Sequence, residues 1–280
     1  MRKAKSKAGK VNIPANVLCW LGALLILLPL AYVVIVSISN QKSLNKDLFS
    51  FVYDFHPENY LTAFKEGNIV KYCLNSVTVC AITVALDLFA GSWFAYATRM
   101  YSRFREIDWM YYLIMTGMFV PIQAIILPLF KLIKAMNLLN SLFGLALVYA
   151  GTNLPLSMMM FAGYYKTVPK ELIEAASIDG CDPFRTYLSI VLPLTKPIIC
   201  TVSILVSLTV WRDMFIPLML TTDVNARTVA YGLMSFVNEF SLDWTTMCAA
   251  MVITTFPIIV LFLCLQKYFI GGAVAGAVKG

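Results

Sequence analysis

Residues 170–180 read KELIEAASIDG, a polar, alanine-rich stretch set between two long apolar runs, Ser141–Tyr165 and Ile198–Leu220. Pro169 precedes it, and the fixed φ of proline suits a first helical turn. Glu171 and Glu174 stand near the end of the helix where the macrodipole favours anions. Gly180 is placed to end the helix with a left-handed residue. The stretch therefore predicts one short, capped helix, with Ala175, Ala176 and Ser177 as a smooth patch of small side chains. Such a patch permits close approach of another surface; a loop helix resting on its own bundle reads equally well. Asp182-Pro183 and then LPLTKP at 192–197 punctuate the start of the next apolar run.

Outward from this stretch the chain is mostly apolar. Of 280 residues 60% are hydrophobic and 13% charged, against about 25% charged in globular domains. That composition predicts an integral membrane protein. Six spans are predicted: Val17–Ile38, Lys71–Ala97, Trp109–Ile133, Ser141–Tyr165, Ile198–Leu220 and Thr246–Ile270. All must be helical, because lipid leaves no partner for an unpaired backbone group, and the alternating runs of a transmembrane barrel are missing. The first run would be about 33 Å long as a helix, too long for the core of a signal peptide, and reads as a retained span. The resulting division is a basic N-terminus (1–16), a six-helix transmembrane bundle (17–270) whose loop 166–197 holds the opening stretch, and a tail (271–280).

Basic residues set the orientation. Arg2, Lys3, Lys5, Lys7 and Lys10 precede the first span, Arg99, Arg103 and Arg105 follow the second, and Lys166, Lys170, Arg185 and Lys196 lie between the fourth and fifth. With Lys267 and Lys279 they outnumber the basic residues of the opposite loops, which places both termini and residues 170–180 in the cytoplasm. The net charge of +7 is thereby explained without nucleic acid, since no stretch interleaves basic and aromatic residues for base stacking. The outer segment 39–70 reads as a short amphipathic piece at the membrane surface or as a solvated loop.

Few residues offer chemistry. The seven cysteines read as small buried hydrophobes, and His56 as a solvated loop residue. Asp87 in the second span and Trp211, Arg212 and Asp213 in the fifth are costly charges or their neighbours within lipid. They line a polar pathway, or Arg212 and Asp87 form a structural ion pair. Pro121, Pro128, Pro155, Pro197 and Pro217 predict kinks within spans. Gly271 and Gly276 have the spacing of a phosphate loop, but Ala277 and Val278 stand where such a loop needs Lys and Ser or Thr. No catalytic constellation or metal cluster is present in the sequence, so the chain is not expected to be an enzyme.

Glu174-Ala175-Ala176, then Gly180, Ile190 and Leu192-Pro193, match throughout the spacing of the EAA loop, and the chain resembles the inner-membrane permeases of ABC importers. Asn75-Ser76, Pro121, WRDMFIPL (211–218) and the ending QKYFIGGAVAGAVKG (266–280) narrow the resemblance to the carbohydrate branch, of the maltose-permease second-subunit type. It covers residues 15–280; Arg212 departs from it, since a small polar residue more often follows that Trp. The resemblance implies an all-α membrane protein of six transmembrane helices, with the type I importer fold and a cytoplasmic EAA coupling helix. It further implies a second homologous permease, two cytoplasmic ATPases that bind ATP and Mg, and an extracytoplasmic solute-binding protein. Coupling to the ATPases would fall to Glu171, Glu174, Ala175, Ala176, Asp179, Gly180, Leu192 and Pro193, with the tail to Lys279 nearby. The solute would be an oligosaccharide or related sugar. An ion-coupled secondary transporter is the rival reading, with Asp87 its coupling acid.

Overall fold

The computed structural model describes residues 13–46, 55–100, 104–236 and 243–277, and every regular element among them is helical. Apart from three short 3-10 turns (Gly117–Phe119, Val224–Ala226 and Leu233–Phe236), these are in chain order α1 (Ile13–Ser37), α2 (Gln41–Lys46), α3 (Glu58–Glu66), α4 (Ile69–Met100), α5 (Arg105–Thr116), α6 (Ile122–Ala135) and α7 (Leu142–Tyr165). There follow α8 (Lys170–Ile178), α9 (Pro183–Thr186), a π-helical turn (Tyr187–Val191), α10 (Leu192–Leu194), α11 (Lys196–Arg212), α12 (Phe215–Leu220), α13 (Val229–Gly232) and α14 (Trp244–Ala277). The basic residues of segment 1–12, Arg103, positions 47–54 of the outer segment and positions 278–280 lie outside the described residues.

Helices α1, α4, α7 and α14 are each long and apolar enough to cross a bilayer. The 24 residues of α7 reach about 36 Å at the helical rise, more than the ~30 Å hydrocarbon core. The third and fifth predicted spans are corrected. Instead of one helix over 109–133, residues Arg105–Phe119 and Ile122–Ala135 form a pair bent by 107°. Pro121 is the cause: it lacks a donor and forces the preceding Val120 out of the helical region, to φ −89°, ψ 111°. Pro128 and Pro155 lie inside α6 and α7 without breaking them. The fifth run stops at Arg212, because Asp213 turns extended at φ −78°, ψ 128°. On its other side α11 meets residues Pro183–Leu194 at 79°. Counting each bent pair as one span gives six crossings. Helix α14 continues through Ala277, into the predicted tail.

The chain forms two compact units, Met1–Glu66 with Phe236–Ile253, and Gly67–Ser235 with Thr254–Gly280. In the larger unit α4 lies along α7, and α11 packs on α4. Val79, Leu145, Tyr149, Phe161, Tyr165, Val202 and Val206 are buried in this core. Gly91 lets the helices approach: a Cβ there would stand 3.1 Å from the Ser157 Cβ. In the smaller unit α3 is tied to the end of α1. Tyr60 shares a hydrogen bond with Ser37 (2.7 Å), and Asn59 Nδ2 donates to the Ser37 and Ser39 carbonyls (3.1 and 2.9 Å). His56 is not a free loop residue: its ring contacts Asn40 and Glu58. Glu58 is held below the ordinary carboxylate range, chiefly by its own backbone N–H and then by His56. All seven cysteines are free; Cys80 and Cys248 are buried, whereas Cys19 and Cys264 are exposed on helix surfaces rather than buried.

Candidate functional site

Helix α8 stands at the end of the larger unit where α4 and α7 terminate. Pro169, at φ −56° and ψ 134°, precedes its first turn, and Glu171 lies within that turn. Its far end is closed by backbone alone. Gly180 takes φ +79°; Gly180 N donates to Ser177 O (3.2 Å) and Cys181 N to Ala176 O (2.9 Å). This is the Schellman arrangement, in which the left-handed residue lets two otherwise orphaned carbonyls be satisfied.

The two faces of α8 differ. Ala176 is 4% exposed, and Ile173 packs on the core. Glu171, Glu174, Ala175, Asp179 and Gly180 are exposed, as is Ile178 at 86%. The small-residue patch read from the sequence is therefore divided: Ala175 faces outward and Ala176 inward, as adjacent positions about 100° apart on a helix must. Ile178, which the sequence reading passed over, is the most exposed large apolar side chain of α8, and Leu172 is exposed as well. The signal of Ile178 was an isoleucine in a polar segment.

The segment after α8 is fastened to the core by contacts the sequence did not reveal. The Ser92 hydroxyl on α4 hydrogen-bonds both Tyr165 OH on α7 (2.6 Å) and Tyr187 OH in the π-helical turn (2.8 Å). Trp93 stacks edge-on against Tyr187 and Phe184, with ring centroids 4.9 and 5.4 Å away. Asp182 caps α9 by accepting from Arg185 N (2.9 Å). Leu192 packs on the core, while Pro193 is exposed. A displacement of α8 would reach α4 and α7 through these groups.

Asp87, Trp211, Arg212 and Asp213 do not converge. Asp87 is 1% exposed, and neither carboxylate oxygen has a hydrogen-bond partner. Arg212 is exposed, and the Arg212–Asp87 ion pair does not form; among the described residues the ion pair present is His56–Glu58. Trp211 Nε1 donates to Thr254 O (3.2 Å). Asp213 accepts from Tyr149 OH (2.7 Å) and from the backbone N–H of Phe215 (3.2 Å) and Ile216 (3.1 Å). Its carboxylate thus starts α12 after the break, a capping role.

At the opposite end of the larger unit, Asn75 and Ser76 hold the loop between α12 and α13. Asn75 Nδ2 donates to the Asn225 and Arg227 carbonyls (both 2.8 Å), and Val229 N donates to Ser76 Oγ (2.8 Å). Asn140, at φ +57°, accepts at Oδ1 from Thr222 N (2.6 Å) and Asp223 N (2.9 Å). Gly271 and Gly276 lie within α14, so they form no loop whose amides could cradle a phosphate. No cluster of metal-ligating side chains occurs among the described residues.

Residues 87–272 match the family described as "Binding-protein-dependent transport system inner membrane component". The chain is 33% identical over 252 residues to the probable ABC transporter permease protein YurM of Bacillus subtilis, covering 90% of this chain and 83% of that one. It is 32% identical to the arabinooligosaccharides transport system permease protein AraQ of the same organism, covering 85% and 83% of the two chains. It is 31% identical to the multiple sugar-binding transport system permease protein MsmG of Streptococcus mutans, covering 94% and 95%. In fold it is similar to a chain of a bacterial ABC transporter involved in the import of the acidic polysaccharide alginate. The TM-score is 0.76 at 24% identity, over 92% of this chain and 95% of that chain.

Proposed function

Because the chain belongs to the family of binding-protein-dependent transport system inner membrane components, we propose that it is the permease subunit of a carbohydrate importer and that α8 receives the movement of a cytoplasmic ATPase. The chain is a multi-pass membrane protein and a transport subunit. The finer reading gives it a second homologous permease, two ATPases that bind ATP and Mg, and an extracytoplasmic binding protein that delivers the sugar. Relatives whose names specify arabinooligosaccharides and multiple sugars support the substrate class. The excess of Lys and Arg beside α8 supports a cytoplasmic location for it, and for both termini.

The observation that carries the coupling reading is the construction of α8. Backbone hydrogen bonds close it, its outer face carries Glu171, Glu174, Ala175 and an exposed Ile178, and the following turn is bonded through Tyr187 and Ser92 to α4 and α7. A rigid helix with one exposed face and a fixed root transmits displacement instead of absorbing it. The ATPase must still favour one arrangement of the spans over the other, because a partner that binds both equally shifts nothing.

Affinity purification of the chain from its native membrane tests the assembly. Recovery of a second permease and an ATPase in fixed proportion is expected. A chain that is recovered alone, and moves solute in proteoliposomes without ATP, would overturn the proposal in favour of Asp87 as an ion-coupling acid.

A further inference from the structure

In the smaller unit the ends of two spans mark a membrane surface. The apolar stretch of α1 ends at Ser37, and that of α14 begins at Trp244. Val36 of α1, Leu44 of α2 and Cys248 of α14 pack in one buried cluster, so the two spans end at the same level. Polar residues begin there: Ser37, Ser39, Asn40 and Gln41 lie at and beyond the end of α1, and Gln41 Oε1 accepts from Thr245 N (3.1 Å) at the start of α14. Trp244 is exposed at this level, as aromatic residues are at a membrane interface.

Helix α3 is fastened at that same level. Tyr60 and Asn59 are bonded to Ser37 and Ser39, and His56 N donates to Ile38 O (2.8 Å). Asn59, Tyr60 and the buried Ala63 therefore define the side of α3 turned toward the protein. At about 100° per residue the rest of the helix surface divides in two. Leu61 and Phe64 share one flank, and they are 55% and 48% exposed. Glu58, Thr62 and Lys65 share the other. Phe55, just ahead of the helix, is exposed as well. A short helix with a bare apolar flank, a charged flank and a fixed position at a span end has the construction of an interfacial helix.

We propose that α3 rests on the membrane surface at which α1 ends, with Leu61 and Phe64 among the lipid acyl chains and Glu58 and Lys65 in water. The occupant of the apolar flank is lipid, because the span ends to which α3 is bonded set its height at the hydrocarbon boundary. The helix then opposes sliding of α1 along the membrane normal. Movement one way carries Leu61 and Phe64 into water, and movement the other way carries Glu58 and Lys65 into lipid. The proposal requires only that α1 and α14 cross a membrane, and it stands apart from the sugar and ATPase assignments.

The test places single spin labels on α3 of the intact complex, or of the chain alone if it is recovered alone. The protein is reconstituted in liposomes of phosphatidylethanolamine and phosphatidylglycerol, in a background lacking the seven native cysteines. Labels introduced by Leu61→Cys and Phe64→Cys are expected to collide more with oxygen, which partitions into lipid, than with a water-soluble nickel chelate. Labels from Thr62→Cys and Lys65→Cys should show the reverse order. Phe64→Trp with the native cysteines retained gives a second measurement that does not depend on their removal. Its emission over that of the wild type should be lost when the lipids carry bromine near the headgroup end of their acyl chains. Nickel-chelate access at positions 61 and 64 equal to that at 65 would overturn the proposal, showing a solvated face. So would exclusion of both reagents from positions 61 and 64, which would identify a covering protein, or Phe64→Trp emission that brominated lipid leaves unchanged.

Discussion

Single residues in this chain act through backbone geometry more than through charge. At Gly144 an added Cβ would collide with the Leu138 carbonyl oxygen, a backbone atom that cannot rotate away. Gly144→Ala should cost about 1–3 kcal/mol, the usual range for an overfilled core position, read as a lower unfolding midpoint of the purified protein. Asp213 has three donors, one from Tyr149 and two from the α12 backbone. Tyr149→Phe and Asp213→Ala should each destabilise, and the double mutant should lose less than the sum, because both remove the same 2.7 Å bond. Asp87 behaves in the opposite way. Its carboxylate is buried without a partner, a costly arrangement inside a bilayer. Asp87→Asn should raise thermal stability. If uptake also survives, Asp87 is not a translocation residue; if uptake fails in a stabilised protein, its carboxylate serves transport.

At the scale of elements, α8 makes the sharpest contrast between neighbouring positions. Ala175→Trp adds bulk to an exposed face and should leave folding intact while abolishing ATPase recovery and uptake. Ala176→Trp adds the same bulk inside and should lower stability or remove the chain from the membrane. Equal behaviour of the two variants would refute the assignment of the faces. Gly180→Ala would hold an L side chain at φ +79°, which costs about 1–2 kcal/mol, and should fray the end of α8. The capped helix was legible in the sequence because Pro169, the early acids and Gly180 are local signals. Its faces were not, since a short loop segment gives no long apolar stripe from which to read them. Nor was its root, because Ser92 and Tyr187 are distant in sequence and meet only through tertiary structure. The fifth span misled for a different reason. An Asp within an apolar run reads as a buried charge, yet Asp213 followed by Phe215 and Ile216 is also the pattern of a carboxylate capping a restarted helix. The third span carried its own warning in Pro121, whose effect on Val120 turned an expected kink into a 107° break.

For the whole molecule, the decisive issue is where the free energy of transport enters. The chain has an exposed short helix in α8, a bonded root at Ser92, and two bends at which helices change direction, while Gly271 and Gly276 lie within α14 and form no phosphate-binding loop. Among the described residues Asp87 is a buried acid without a hydrogen-bond partner. An ion-driven carrier needs a coupling acid that reaches both sides of the membrane in turn, whereas an ATPase-driven permease needs only a face on which the partner's movement acts. Moving a two-state equilibrium from 1:99 to 99:1 takes about 5.5 kcal/mol of differential binding, which under the proposed coupling enters at α8. Uptake into cells should therefore collapse when ATP is depleted under a maintained ion gradient, and persist when an uncoupler dissipates the gradient at constant ATP. In an Ala175→Trp background, uptake should be absent under both conditions although the protein reaches the membrane. Uptake that follows the ion gradient, and survives Ala175→Trp, would move the energetic centre of this protein from α8 to Asp87.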